Sequence, residues 1–242
     1  ELLRHVLDAG VETLGEPFRH ARRFIGKMAV TVFRNDLAGA PQYELIVPRD
    51  QLVDAWQIFH EAGHADDNGD AAPPENGAGA EAGERPQAPS LRAIGWSAFN
   101  TARIEAGTPL LGIDITDNYL PMETGHWYPR AVCVTKGCYI GQEIVARMHA
   151  HKTVARLLVW LRIDAPRLPV AGAEIFSDGQ QVGIVTSSAL SPMLGNVPIA
   201  MGYVKKAFSA TDTEVEVLAE GARVHAKVTP LPFWVAKTET EN

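Results

Sequence analysis

The stretch AEIFSDGQQVGIVTSSALSPMLGNVPIAMGYV, residues 173–204, decides the fold class of the second half of the chain. Its short runs of β-branched and aromatic residues are broken by DG and SPMLGN, the turn-forming combinations that separate paired strands. The flanking runs VARLLVWLRI before it and EVEVLA and RVHAKVTPL after it have the same texture, with AEGA as a further turn. Several short strands at such spacing predict a barrel or sandwich, and we expect a small antiparallel β-barrel over residues 151–237.

The region ahead of this block, residues 1–150, alternates helical and strand patterns. ELLRHVLD places Leu2, Leu3, Val6 and Leu7 on one helical face. MAVTVFR (28–34) and YELIVP (43–48), joined by NDLAGAPQ, predict a hairpin. After Pro48 and Asp50 as start signals, Leu52, Val53, Trp56 and Phe59 form an apolar helical stripe. SAFNTARIEAG (97–107) predicts a short helix, with Ser97 as N-cap and Gly107 as its C′ stop. The expected class is therefore α+β, a sheet with helices on one side, followed by the barrel. The domain boundary is expected near 145–153.

Between these helices, residues 64–90 predict a flexible acidic insertion rich in Gly, Ala and Pro. Residues 66–89 hold six acidic residues and one arginine, a net of −5, and no apolar side chain larger than alanine. Such a segment buries too little surface to offset the entropy of ordering. The whole chain of 242 residues carries −7, which argues against general nucleic-acid binding. No run reaches the length of about 20 apolar residues that a membrane span requires. The chain opens on Glu1 without a charged-then-apolar leader, and a longer parent chain is expected. Two cysteines, Cys133 and Cys138, form neither a disulfide framework nor a C-x-x-C motif, which fits a reducing, cytoplasmic setting.

KGCYIGQE, residues 136–143, places one of these cysteines between two glycines. QEIVARMH beyond Gly141 has helix-forming composition and an Ile144, Val145, Met148 stripe. A helix starting near Gly141 leaves Cys138 just ahead of its N-terminus, where the dipole and Lys136 favour thiolate. The alternative is an inert, buried cysteine. Cys133, flanked by Val132 and Val134, suggests a strand position in the core. His126, His149 and His151 could join a Cys/His metal site, but their spacing fits no compact zinc pattern. The segment with Arg147, His149, His151, Lys152 and Arg156 is locally basic, suited to an anionic ligand or to a solvated face. Arg103 and Glu105 in RIEAG point to different helical faces, and an arginine fork suits a carboxylate-bearing ligand. Trp127 and Tyr128 in GHWYPR would offer a flat surface to an aromatic ring or fill a junction.

Taken together, RIEAGTPLLGIDI and KGCYIGQEIVAR resemble the folate-binding YgfZ family, within the wider glycine-cleavage T-protein (aminomethyltransferase) group. DGQQVGIVTSSALSPMLGNVPIAMGYV and the closing LPF resemble the C-terminal barrel of that group. The resemblance implies an aminomethyltransferase-like folate-binding domain with a ferredoxin-like sheet and helices. It implies tetrahydrofolate, or a one-carbon-substituted folate, as cofactor and iron–sulfur client proteins or assembly factors as partners. Its expected role is assembly or repair of iron–sulfur clusters, and through them tRNA modification, with no direct nucleic-acid or membrane partner. It places Cys138 and Lys136 in the catalytic role, and Arg103, Glu105, Trp127, Tyr139, Gln142 and Arg147 at the folate. No resident metal is expected, although Cys138 would suit transient cluster or iron ligation. The alternatives are aminomethyl transfer to tetrahydrofolate and a non-catalytic folate-binding scaffold. Two departures are visible. The wider group carries a further segment ahead of position 1. Its transferases also carry a pterin-binding Gly–Glu pair in the hairpin turn, where Gly39–Ala40 stand here.

Overall fold

In the computed structural model, residue 3 and residues 6–64, 93–151 and 154–231 are described. The predicted insertion lies outside the described residues but for its first residue, which ends a helix. The chain divides into two compact units, one of Glu1–Asp36 with Pro41–Gly95 and one of Leu37–Ala40 with Trp96–Asn242. The boundary expected near 145–153 thus falls inside the second unit.

The first unit is built on a three-stranded antiparallel sheet in the order β1-β2-β3, with β1 His20–Ile25, β2 Met28–Arg34 and β3 Tyr43–Ile46. The hairpin expected over 28–48 is β2 and β3, with Thr31 opposite Ile46 and Arg34 opposite Tyr43. Strand β1 escaped the sequence because its alternation places Arg22 and Arg23 among few apolar residues. The core of the unit gathers Leu7, Leu14, Ile25, Val30, Val32 and Ala55.

Helix α1, Leu52–His64, contradicts the expected apolar stripe. Leu52, Val53 and Trp56 are exposed, while Ala55 is buried and Phe59 packs on the core. The seam with the core runs through Ala55 and Phe59, one helical turn apart. Ala55, small enough for close approach, takes the buried position, and Leu52, Val53 and Trp56 face outward.

The second unit begins with α2, Trp96–Glu105, and ends in a closed six-stranded barrel. The barrel strands are β4 Arg156–Ile163, β5 Glu174–Ser177, β6 Gln180–Ser191, β7 Val197–Lys205, β8 Glu214–Ala219 and β9 Ala222–Thr229. They pair antiparallel in the circular order β4-β7-β6-β5-β8-β9, and β4 against β9 closes the ring. At the β5–β6 turn Asp178 and Gly179 both have positive φ, 50° and 76°. That pair of left-handed residues is the type I′ hairpin geometry that the DG signal predicts. Alternation of period two fills the interior with Val159, Leu161, Ile175, Val185, Val204, Val217 and Val228. A second apolar cluster, with Ile104, Leu158, Trp160, Ile199, Met201 and Tyr203, lies outside the ring and joins α2 to it. The fold is α+β. No helix among the described residues is long and apolar enough to cross a membrane.

Candidate functional site

Helix α2 stops at a Schellman motif. Thr108 N–H donates to the Arg103 carbonyl at 2.7 Å and Gly107 N–H to the Ile104 carbonyl at 2.9 Å. Gly107 sits at φ +76°, the left-handed position where an L side chain is strained. Ser97, expected as the N-cap, is instead the second residue of the helix.

The RIEAG segment thereby aims two side chains at different partners. Arg103 is almost fully buried. Its Nη1 donates to Asp114 Oδ2 at 2.5 Å and to the Thr108 carbonyl at 3.2 Å. Its Nη2 donates to Ser187 Oγ at 2.6 Å and Asn100 Oδ1 at 2.8 Å, and Nε to the same Asn100 oxygen at 2.9 Å. All five guanidinium N–H groups are thus engaged. Burial draws its pKa below the ordinary arginine value, and the charge and hydrogen bond of Asp114 oppose that fall. Asp114 is fully buried as well, and its Oδ1 accepts from Thr186 Oγ1 and Ser187 Oγ at 2.5 and 2.6 Å. Neighbouring strand residues ordinarily face opposite ways. Both hydroxyls reach one carboxylate because the β6–β7 register shifts between Val185 and Ser187.

Glu105, half-buried, points elsewhere. Its Oε1 accepts from Ser191 Oγ at 2.5 Å and from Met193 N–H at 3.3 Å, at the β6–β7 turn. Trp127 donates its indole N–H to the Gly107 carbonyl at 3.0 Å, packs against the cluster around Ile104, and carries the Arg130 guanidinium 4.4 Å from its ring centroid. Tyr128 is buried, its hydroxyl 3.4 Å from His149 Nδ1; it offers no open aromatic face.

A third group surrounds Cys138. Helix α3, Tyr128–Ala131, ends before a loop, and Gly141 turns the chain into α4, Gln142–His151. Cys138 is an exposed free thiol in that loop. The Lys136 ammonium lies 4.9 Å from the centroid of the Tyr139 ring, and Gln142 Oε1 accepts from Tyr139 N–H at 3.0 Å. Arg147 is exposed on α4, as is Ile144 of the expected stripe. Cys133 corrects the sequence expectation of a core strand: it is exposed, in irregular chain after α3. Its valine neighbours gave a strand signal, but among the described residues no strand pairs with this segment. The Cys133 thiol is held below its ordinary pKa, first by a hydrogen bond from the Thr135 hydroxyl, then by the amides of Thr135 and Lys136. Among the described residues no three His, Cys, Asp or Glu side chains converge as metal ligands. His126 packs its ring 5.4 Å from Trp127 and 5.0 Å from Trp160, between centroids.

The structure therefore separates the expected site residues into groups. Arg103 is sealed in a hydrogen-bonded network, Glu105 and Trp127 flank the end of α2, and Lys136, Cys138, Tyr139, Gln142 and Arg147 share the α3–α4 loop and α4. Sequence reasoning missed the network partners Asp114, Thr186 and Ser187, which no local pattern marks.

Comparison with known proteins agrees with this architecture. Residues 156–234 match the glycine cleavage T-protein C-terminal barrel domain. An aminomethyltransferase of Symbiobacterium thermophilum is 30% identical over 237 residues, covering 97% of this chain and 56% of the relative. One of Saccharopolyspora erythraea is 37% identical over 146 residues, 60% of this chain and 39% of the relative. The crystal structure of the glycine cleavage system aminomethyltransferase T from Bartonella henselae superposes with a TM-score of 0.68 at 23% identity, over 93% of this chain and 56% of that one. The chain spans about half the length of the curated relatives it matches. Its fold is aminomethyltransferase-like, with a C-terminal barrel of the T-protein type.

Proposed function

We propose that the chain is a tetrahydrofolate-binding protein that supports assembly or repair of iron–sulfur clusters, with Cys138 as the working thiol. The observation that carries this is the exposure of Cys138 in the KGCYIGQE loop. An accessible thiol can ligate iron of a cluster in transit or attack a sulfur or one-carbon adduct. A sealed one could do neither.

The side chains at the end of α2 suit a pterin in part. Glu105 uses one carboxylate oxygen on Ser191 and Met193, which leaves Oε2 as an acceptor for ring N–H donors. Trp127 supplies aromatic surface. Arg103 has no N–H to spare, so its part is to hold α2 against β6 rather than to grip a carboxylate. Arg147, exposed on α4, would meet the glutamate carboxylates, beside Tyr139 and Gln142. Bound folate would supply the nitrogens that carry a one-carbon unit. Lys136 adds positive charge beside the thiol. Iron–sulfur client proteins would be the partners, with cluster-dependent tRNA modification affected through them and neither nucleic acid nor membrane bound directly.

A second reading, aminomethyl transfer to tetrahydrofolate, is favoured by the name of the relatives and by the barrel match. Gly39–Ala40 in place of a Gly–Glu pair counts against it. Three measurements decide. Cells relying on a Cys138→Ser protein should lose activity of iron–sulfur enzymes, and unaltered activity would exclude the proposed role for the thiol. Titration with tetrahydrofolate, followed by tryptophan fluorescence, should saturate; absence of binding points to a non-catalytic scaffold whose folate site has decayed. Ammonia release from an aminomethylated carrier protein would establish the transferase instead.

A further inference from the structure

The loop between α3 and α4 carries both cysteines of the chain, and both are exposed. Residues 132–139 lie in no helix or strand, with consecutive bends at Val134, Thr135 and Lys136. The chain curls about the first sulfur. Cys133 Sγ lies 3.4 Å from Thr135 Oγ1. Five peptide units could extend over about 17 Å. The consecutive bends at 134–136 shorten that reach, and no helix or strand over 132–139 holds the two residues beyond the about 4.4–6.8 Å Cα separation that a disulfide needs.

We propose that Cys133 and Cys138 form a dithiol pair that reduces small disulfides and closes an intramolecular disulfide across this loop. The Cys133 thiolate attacks one sulfur of the small disulfide. That S–S bond breaks, one thiol leaves as thiolate and is protonated by water, and a mixed disulfide remains on Cys133. Cys138, having lost its proton to solvent, then attacks the Cys133 sulfur and expels the second thiol. Two protein thiols are oxidised by two electrons, and one small disulfide is reduced to two thiols.

The assignment of the two roles follows from the surroundings. The Thr135 hydroxyl 3.4 Å from Cys133 Sγ favours the Cys133 thiolate, and we assign it the first attack. Exposed Lys136, between the two cysteines in sequence, favours an anionic disulfide, and glutathione disulfide is the natural probe. The chemistry stands whether or not folate binds. Its consequence reaches the proposed site, since closure withdraws the Cys138 thiol from any other partner.

The test uses the reduced full chain and excess glutathione disulfide at neutral pH, followed by intact mass, free-thiol titration and a non-reducing gel. The wild-type chain should lose both thiols, retain no glutathione and stay monomeric. Cys138→Ser should trap one glutathione on Cys133. Cys133→Ser should trap one on Cys138, several-fold more slowly. A wild-type chain that keeps glutathione, forms disulfide-linked dimers or retains both thiols overturns the proposal. Equal trapping rates in the two variants overturn the order of attack. Loss of iron–sulfur support in Cys138→Ser cells is a separate outcome, unaffected by any of these.

Discussion

Arg103 on α2 and Asp114 in the following loop form an ion pair buried almost completely, Nη1 to Oδ2 at 2.5 Å, with side-chain exposures of 1% and 0%. Desolvation of both charges is offset only because every remaining donor and acceptor is matched by Asn100, Thr108, Thr186, Ser187 or the Leu110 amide. The pair thus ties the RIEAG helix to strand β6 of the barrel.

Removing one partner strands the other. Arg103→Met should cost about 3–5 kcal/mol of stability, read as a lower urea midpoint. Arg103→Met with Asp114→Leu should recover much of that loss, because no unpaired charge remains. A single-variant cost below about 1 kcal/mol would mean the network does not hold α2 in place.

Gly107→Ala tests the cap. At φ +76° a Cβ is strained, and it would meet the end of the Leu231 side chain. The left-handed conformation alone costs about 1–2 kcal/mol, and Leu231 must also move. Thermal melting should show a drop larger than Gly141→Ala gives, since nothing lies within 4 Å of a Cβ at Gly141. Equal drops would show that Leu231 yields freely.

Cys138→Ser separates chemistry from packing. The exposed thiol buries nothing, so unfolding free energy should change by less than about 0.5 kcal/mol, while the cellular function proposed for it fails. A large loss of stability would recast Cys138 as a structural residue.

His126 sets a pH response. Partial burial against Trp127 and Trp160, and secondly the charge of Arg130, hold its pKa below the ordinary 6.5. The unfolded chain then binds the proton more readily, so stability is intact above about 6.5 and falls as pH drops through the folded value. The melting temperature of wild type should decline between neutral and mildly acidic pH more steeply than that of His126→Gln. Parallel curves would remove His126 from the response.

Local patterns carried much of the architecture. Turn residues with positive φ, such as Asp178–Gly179, and period-two burial are properties of a few neighbouring residues, so the barrel strands were legible. So was the end of α2, because Gly107 answers a local backbone requirement. The α1 stripe misled because apolar periodicity names a face without saying which neighbour is close enough to bury it. Cys133 misled because β-branched neighbours favour a strand only where another strand pairs with them.

Propensity, turn chemistry and spacing along the chain were enough for the β2–β3 hairpin, the barrel strands, the end of α2 and the loop at Cys138, since these are local properties. The role of Arg103 emerges from long-range folding instead. Its partners lie 3, 5, 11 and 84 residues away, and a charge accepts burial only where folding assembles all of its hydrogen bonds at once. The same assembly leaves Glu105, two residues on, free to face another way.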